Sequence, residues 1–281
     1  MRRARPLLGT YVEIEAEGLL DSALQQAIDK AFQAIELTQR LMSFHCPDSD
    51  LSKLNRRAAL EPVSVHPWTA KVLRRALTLY RATDGLFDCA VGYELTRWGL
   101  LPDDGLSHLE SGSLSSVRLL PDGRIAFTNR IALDFAGIAK GFAVDRAISV
   151  LRRHGVRRAS VNAGGDMRVI GDEARLIYIR HPTSPKLLSP AGSLQNGAIA
   201  TSGAAATRRS VRGCEVSALV ASKTRKPVID GAAYSVVAPT CVVADALTKV
   251  LVQVKRTDAA CFATFGAVAL VTPPRDELRV A

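Results

Sequence analysis

Asp134-Phe135-Ala136-Gly137-Ile138-Ala139-Lys140-Gly141 combines two glycines with a lysine immediately ahead of an apolar-periodic run. Glycine admits backbone torsions closed to other residues and lets a ligand approach the main chain, so a loop with two of them and a cation is a candidate anion cradle. Val144, Ala147, Ile148 and Leu151 then recur at helical spacing, with Asp145, Arg146, Arg152 and Arg153 on the opposite face and Gly155 placed to stop the helix. The loop is therefore predicted to sit at a helix N-terminus, where unpaired N–H groups and the dipole favour a phosphate or another anion. Arg158 to Ala163 reads as a strand, Gly164-Gly165-Asp166 as a turn, and Met167 to Ile170 as the apolar run it leads into. No G-x-G-x-x-G follows a strand and no G-K-[ST] is present, so neither the dinucleotide fingerprint nor the P-loop is encoded. On the residues alone, the glycines could equally do no more than shape turns in an αβ unit.

Outward from this stretch, Thr10 to Ala16 alternates as a half-buried strand, and Asp21 is positioned to cap a long helix carrying Leu24, Ala27, Ile28, Ala31, Phe32 and Ile35 inward. Residues 47–55 read as a capped short helix, and Pro67-Trp68 opens another helix that ends near Asp84-Gly85, with Trp98 beyond it expected in the core. Residues 102–113 read as a surface loop, Val117 to Thr128 as a hairpin turning at Pro121-Asp122-Gly123, and Ile131 to Leu133 as a strand delivering the glycine loop. Leu176 to Ile179 reads as a strand, Pro182 to Pro190 as a proline-broken loop, and Ile199-Ala200-Thr201-Ser202-Gly203 places small hydroxyls beside a glycine. Tyr234 to Ala238 is a predicted strand, and Thr240 caps a helix that carries Ala244, Leu247, Val250 and Leu251 inward and Asp245, Thr248 and Lys249 on one side. A helix at 258–265, a strand at 267–271 and a final short strand close the chain. Strands and helices mix without βαβ alternation, so the fold class is α+β, in one domain over residues 1–281 with no internal linker.

The chain has 281 residues, of which 47% are hydrophobic, enough for a sizeable core. Its 37 Lys and Arg against 27 Asp and Glu give a formal charge of +10, but the aromatics, at 5%, do not interleave with the basic residues. That pattern argues against a nucleic-acid surface and for an anionic small ligand. The five cysteines are scattered without C-x-x-C and the five histidines form no ligand pair, so metal chemistry would rest on oxygen donors. Arg2, Arg3 and Arg5 precede the first strand without a signal-peptide apolar run, no span of transmembrane length occurs, and the first cysteine is Cys46. The expectation is a cytoplasmic protein without a lipid anchor.

The run DFAGIAKGFAVDRA followed by VNAGGDMRVIG closely resembles the signature of the ApbE family, the FAD:protein FMN transferases. Met42-Ser43-Phe44 with the S-x-L-S-x-L-N-like segment around Leu51-Ser52-Lys53-Leu54-Asn55, Phe87-Asp88, Trp98-Gly99 and Ala200-Thr201-Ser202-Gly203 extend the resemblance over most of the chain. It implies a duplicated α+β unit with FAD in a cleft. By position it assigns FAD contacts to Met42, Ser43, Gly137, Lys140, Gly164, Gly165, Asp166, Thr201, Ser202 and Gly203. It also implies magnesium held by a loop carbonyl at Gly137 and by Asp245, with a catalytic part for Asp245, and an acceptor flavoprotein as partner.

Two departures fall where the chemistry would be done. The family's H-x-x-D-P-x-T-G reads Ala218-Leu219-Val220-Ala221-Ser222-Lys223-Thr224-Arg225 here, which removes the histidine implicated in activating the acceptor hydroxyl. The metal-binding threonine four residues after Asp245 is Lys249, with Thr248 one position early. An ammonium within ~4 Å of a divalent ion is repelled by several kcal/mol at intermediate dielectric. Either Thr248 replaces the missing ligand with Lys249 turned away, or the Lys249 ammonium takes the metal's place on Asp245 and joins the catalytic set. The functions that follow are FMN transfer from FAD to a Ser or Thr hydroxyl with release of AMP, non-catalytic FAD binding or delivery, or FAD hydrolysis to FMN and AMP.

Overall fold

The structure is a computed structural model describing residues 1–103, 105, 109–182, 184 and 186–274. In chain order it runs β1 (Arg2–Leu7), β2 (Thr10–Glu17), α1 (Asp21–Met42), α2 (Asp50–Arg57), α3 (Pro67–Ala82), α4 (Gly92–Arg97), β3 (Val117–Leu119) and β4 (Ile125–Phe127). There follow α5 (Ala139–Arg153), β5 (Arg158–Ala163), β6 (Asp166–Ile170), β7 (Arg175–Arg180), β8 (Leu188–Leu194) and β9 (Ala198–Gly203). Short strands β10 (Arg209–Val211), β11 (Cys214–Val216), β12 (Val220–Ala221) and β13 (Lys226–Pro227) precede β14 (Ala233–Ala238), α6 (Cys241–Val254), α7 (Ala260–Thr264) and β15 (Val268–Thr272). The mixture is α+β, as the sequence pattern requires.

The described residues pack as two compact units, one within 1–39, 140–203 and 231–274, the other within 40–139 and 204–230. The first is built on a seven-stranded sheet of order β1-β2-β5-β6-β9-β14-β15, antiparallel throughout. Val12, Ile14 and Ala16 on β2 are buried, as alternation demands, and so is the α1 stripe from Leu24 to Ile35. Helix α6 packs on β6, β9 and β14. Val169, Ile177, Ile179, Leu194 and Ile199 form a separate apolar cluster between the β7–β8 hairpin and the sheet. Gly164 and Gly165 connect β5 to β6 with Ala163 opposite Asp166, and both have positive φ, the conformation a two-residue hairpin loop needs.

In the second unit, α2 is capped by Ser49, whose hydroxyl accepts from the Ser52 amide, and α3 begins at Pro67. The β3–β4 hairpin forms as expected. Residues 131–133, however, are not a strand: the Leu133 amide donates to Asn55 Oδ1 at 2.8 Å and its carbonyl accepts from Asn55 Nδ2 at 2.9 Å. One side-chain amide thus replaces a strand partner for the segment entering the glycine loop. Asn55→Ala leaves both backbone groups without that partner and is expected to cost about 2 kcal/mol, read as a lowered denaturation midpoint. An unchanged midpoint would show that the bridge contributes nothing.

Other expectations are corrected. Leu188 to Pro190, read as loop, starts β8, because Leu188 pairs with Arg180 and Pro190 with Tyr178; residues 183 and 185 of that reading lie outside the described residues. The loop at 102–113 lies partly outside them too, and its described part has no helix or strand; the final short strand lies outside them beyond residue 274. Trp98 is only half-buried. The edge strand β1, helix α4 and the four short strands of 209–227 had no periodic signal long enough to be read.

Candidate functional site

Lys140, the second residue of α5, forms an ion pair from Nζ to Asp166 Oδ2 at 3.2 Å. Asp166 follows the Gly164-Gly165 turn and is 2% exposed, so its charge is met chiefly by the Lys140 ammonium. Burial, and next the charge of Asp245, push Asp166 up to about 6, against the opposing pull of Lys140 and Lys249. Lys140 is raised, mainly by Asp166, against desolvation. The two shifts describe one pair in which the carboxylate is the group burial disfavours.

Between about 4 and 6 the folded chain therefore holds a proton on Asp166 that the unfolded chain has lost, and this residue's contribution to stability falls as pH rises across that window. Asp166→Asn is expected to gain on wild type in Tm as pH goes from about 4 to about 7. A difference independent of pH would contradict the assignment.

The second carboxylate, Asp245, is fully buried on α6. Its Oδ2 accepts from the Gly141 amide at 2.9 Å, and its Oδ1 lies 2.5 Å from Lys249 Nζ. Gly141 is required by proximity: a Cβ there would overlap the Cys241 carbonyl and stand 2.8 Å from Asp245 Cβ, so α5 and α6 cross backbone on backbone. Lys249 Nζ also reaches Ser202 Oγ at 3.0 Å, Thr248 Oγ1 at 3.1 Å and the Asp245 carbonyl at 3.2 Å. Thr248 Oγ1 donates to the Asp245 carbonyl at 2.7 Å and shares a 2.7 Å bond with Ser202 Oγ.

The first unit thus brings Lys140, Asp166, Ser202, Asp245, Thr248 and Lys249 into one cluster. Thr201 alternates away on β9 and bonds Ser235 Oγ at 2.8 Å, with Gly203 two residues on. Gly164 leaves no room for a Cβ against Thr10, whereas Gly165, whose amide donates to Asn162 Oδ1, has open space on that side. Met42, Ser43 and Gly137 belong to the second unit, where Met42 is buried, Ser43 accepts from the Ser49 hydroxyl and the His45 amide, and Gly137 lies in the turn before α5.

One residue in each unit holds a network that carried no readable signal. Asp145, expected on the solvent face of α5, is buried: Oδ1 accepts from the Cys241 amide at 3.0 Å and Oδ2 from the Val242 amide at 2.9 Å, while Arg168 pairs with Oδ1 at 2.5 Å. It caps α6 from another helix, whereas Thr240 stands at the N-cap position without a side-chain cap bond. In the second unit, Arg225, at the position of the family motif's glycine, has a left-handed backbone at φ 56°. Its guanidinium binds Asp88 at 3.0 Å, the Ala90 carbonyl at 2.9 Å and the Gly112 carbonyl, a fork that outweighs the strain of the torsion. Ala218, at the histidine position, is exposed and donates its amide to Thr207 Oγ1 at 3.1 Å.

The cluster does not offer a divalent ion a site as it stands. Both Asp245 oxygens are engaged by N–H donors, and Thr248 turns its proton to a backbone carbonyl. Among the described residues, no three His, Cys, Asp or Glu side chains group as metal ligands. Nor is any helix among them long and apolar enough to cross a membrane.

In this α+β unit a lysine stands at a helix N-terminus, paired to an acid after a Gly-Gly turn, an arrangement compatible with an anion. The ApbE family profile matches residues 8–270, and the chain belongs to that family. A relative from Rhodobacter capsulatus, named FAD:protein FMN transferase, is 27% identical over 87% of this chain and 50% of its own length. One of the same name from Salmonella typhimurium is 25% identical over 85% of this chain and 74% of its own. The chain thus spans about half the length of the first of these relatives. The solved ApbE protein of Thermotoga maritima superposes with a TM-score of 0.82 at 23% identity, covering 98% of this chain and 97% of that one. The flavin transferase ApbE from Vibrio cholerae gives 0.77 at 22% over 96% and 92%; at these identities the likeness shows the fold.

Proposed function

We propose that this chain binds FAD and transfers its FMN portion to a Ser or Thr hydroxyl of an acceptor protein, releasing AMP. The observation that carries the reading is the Lys140–Asp166 pair at the N-terminus of α5, within a chain whose curated relatives are named for that reaction. The Lys140 side chain stays 37% exposed, so its ammonium can meet a diphosphate without first leaving Asp166. The α5 N-terminus adds N–H groups and a favourable dipole. Gly165, with open space on its Cβ side, lets the ligand approach the main chain, Asp166 and Ser202 orient the two lysines, and Gly164, Thr201, Gly203, Met42, Ser43 and Gly137 are the further contacts proposed for the flavin nucleotide.

In the reaction the acceptor oxygen attacks the phosphorus on the riboflavin side. A new P–O bond forms, the P–O–P bridge breaks, AMP departs with the bridging oxygen, and the hydroxyl proton passes to the departing AMP phosphate or to water. Lys140 and Lys249 neutralise charge on the diphosphate, and Asp245 holds Lys249 in place. The resemblance offers Gly137 and Asp245 to magnesium, with Thr248 the residue that could replace the ligand lost at Lys249, but no step is routed through that ion, because Lys249 stands on Asp245.

A second reading, FAD binding without transfer, is favoured by Ala218 and Ala221 at the histidine and aspartate positions. A missing general base slows such a step by about 10²- to 10⁴-fold. Co-expression with a candidate acceptor domain tests the proposal: the acceptor is expected to become fluorescent in a denaturing gel through covalent flavin, and to lose that label with Asp245→Asn. An acceptor that stays unlabelled beside a folded, FAD-loaded chain would favour binding alone.

A further inference from the structure

We propose that Lys249 is a built-in cation: its ammonium occupies the place a divalent ion would take on Asp245, so the site binds its anionic ligand without a metal. Four oxygens converge on this one nitrogen: Asp245 Oδ1, the Asp245 carbonyl, Thr248 Oγ1 and Ser202 Oγ. Three of them come from α6 itself and the fourth from β9, so carboxylate, carbonyl and hydroxyl donors surround the charge as they would a hard metal ion. The ammonium offers three N–H groups to these four acceptors, and Asp245 lies one turn N-terminal to Lys249, the favourable order for an acid–base pair on a helix.

The remaining Asp245 oxygen accepts from the Gly141 amide, where α5 crosses so closely that a Cβ on Gly141 would stand 2.8 Å from Asp245 Cβ. Lys140 faces Asp166 in the same cluster, so two ammoniums balance two carboxylates without any added ion. A divalent cation could enter only by expelling Lys249, whose side chain is 23% exposed. The ligand assignment, a dinucleotide diphosphate, rests on the flavin reading above; the cation assignment rests on the geometry alone.

The two are separated by titrating the purified full chain with Mn²⁺ alone, following the free-ion paramagnetic resonance signal, and with FAD in EDTA or in magnesium. Wild type is expected to bind no Mn²⁺ up to about 1 mM, and to hold FAD equally, within about twofold, in both buffers. Lys249→Thr removes the ammonium and supplies a hydroxyl. It is expected to gain one Mn²⁺ per chain, to lose that ion when Asp245→Asn is added, and to bind FAD about tenfold more weakly in EDTA than in magnesium.

Wild type that binds one Mn²⁺ dependent on Asp245, or whose FAD affinity rises about tenfold with magnesium, would overturn the proposal. So would folded Lys249→Thr that takes up no Mn²⁺, because the oxygens would then not form a cation site. Should the variant fail to fold, the wild-type titration decides by itself. FAD binding in neither buffer would sink the flavin reading, while the Mn²⁺ result would still judge the cation.

Discussion

Asp145→Ala is expected to destabilise the chain by about 4 kcal/mol and to lower Tm by about 10 °C. The carboxylate does two things at once. It satisfies the first two amides of α6, at Cys241 and Val242, and it pairs with Arg168 on β6, with side chains 12% and 14% exposed. Removing an N-terminal cap alone costs about 1 kcal/mol. The larger part comes from leaving the Arg168 guanidinium buried without its partner, since breaking one side of a buried pair costs more than the pair contributes.

The double variant Asp145→Ala/Arg168→Met separates the two, because it removes both charges and keeps the arginine's bulk. It is expected to recover more than half of the loss, leaving the capping part. A single variant within about 2 °C of wild type would mean that solvent already serves these groups.

Gly141→Ala is the second large effect, expected at about 3 kcal/mol. The residue lies inside α5, where alanine is intrinsically better than glycine by about 1 kcal/mol, so an isolated helix would gain. Here the added methyl would overlap the Cys241 carbonyl and crowd Asp245 Cβ, both parts of α6 that cannot turn aside as a flexible side-chain end would. The helices must separate, which also stretches the 2.9 Å bond from the Gly141 amide to Asp245. Overpacking of this kind typically costs more than helix propensity returns. Thermal melting should show the drop together with weakened FAD binding; a variant as stable as wild type would show that the crossing is looser than described.

What could be read from the residues alone follows from the range of the forces involved. Helix α5, strand β5 and the Gly164-Gly165 turn are local: apolar periodicity and glycine torsions determine them within a few residues. The shared side of α6 carrying Asp245, Thr248 and Lys249 is likewise helical arithmetic, and of the two outcomes it left open the structure shows the ammonium on the carboxylate.

Asp145 was placed on the wrong face because the groups it serves lie 96 and 97 residues away, and a charged residue flanked by arginine carries no sign of them. Ile131 to Leu133 has the composition of a strand, but the backbone of Leu133 is bonded by a side chain 78 residues earlier, and the Ala132 carbonyl takes a single amide, that of Gly92. The strands between 209 and 227 are two or three residues long, below any readable period. Arg225 was legible only as a lost glycine. That it adopts a left-handed torsion and fastens Asp88 needed the folded chain.

The most direct test of FMN transfer is to incubate the purified chain with FAD and an acceptor domain, separate the nucleotides by chromatography, and weigh the acceptor by mass spectrometry. The expected result is AMP in equal amount to an acceptor heavier by one FMN less one water, as a phosphoester bond requires, with no FMN free in solution. FAD that stays intact, or AMP released together with free FMN from an unmodified acceptor, would contradict it.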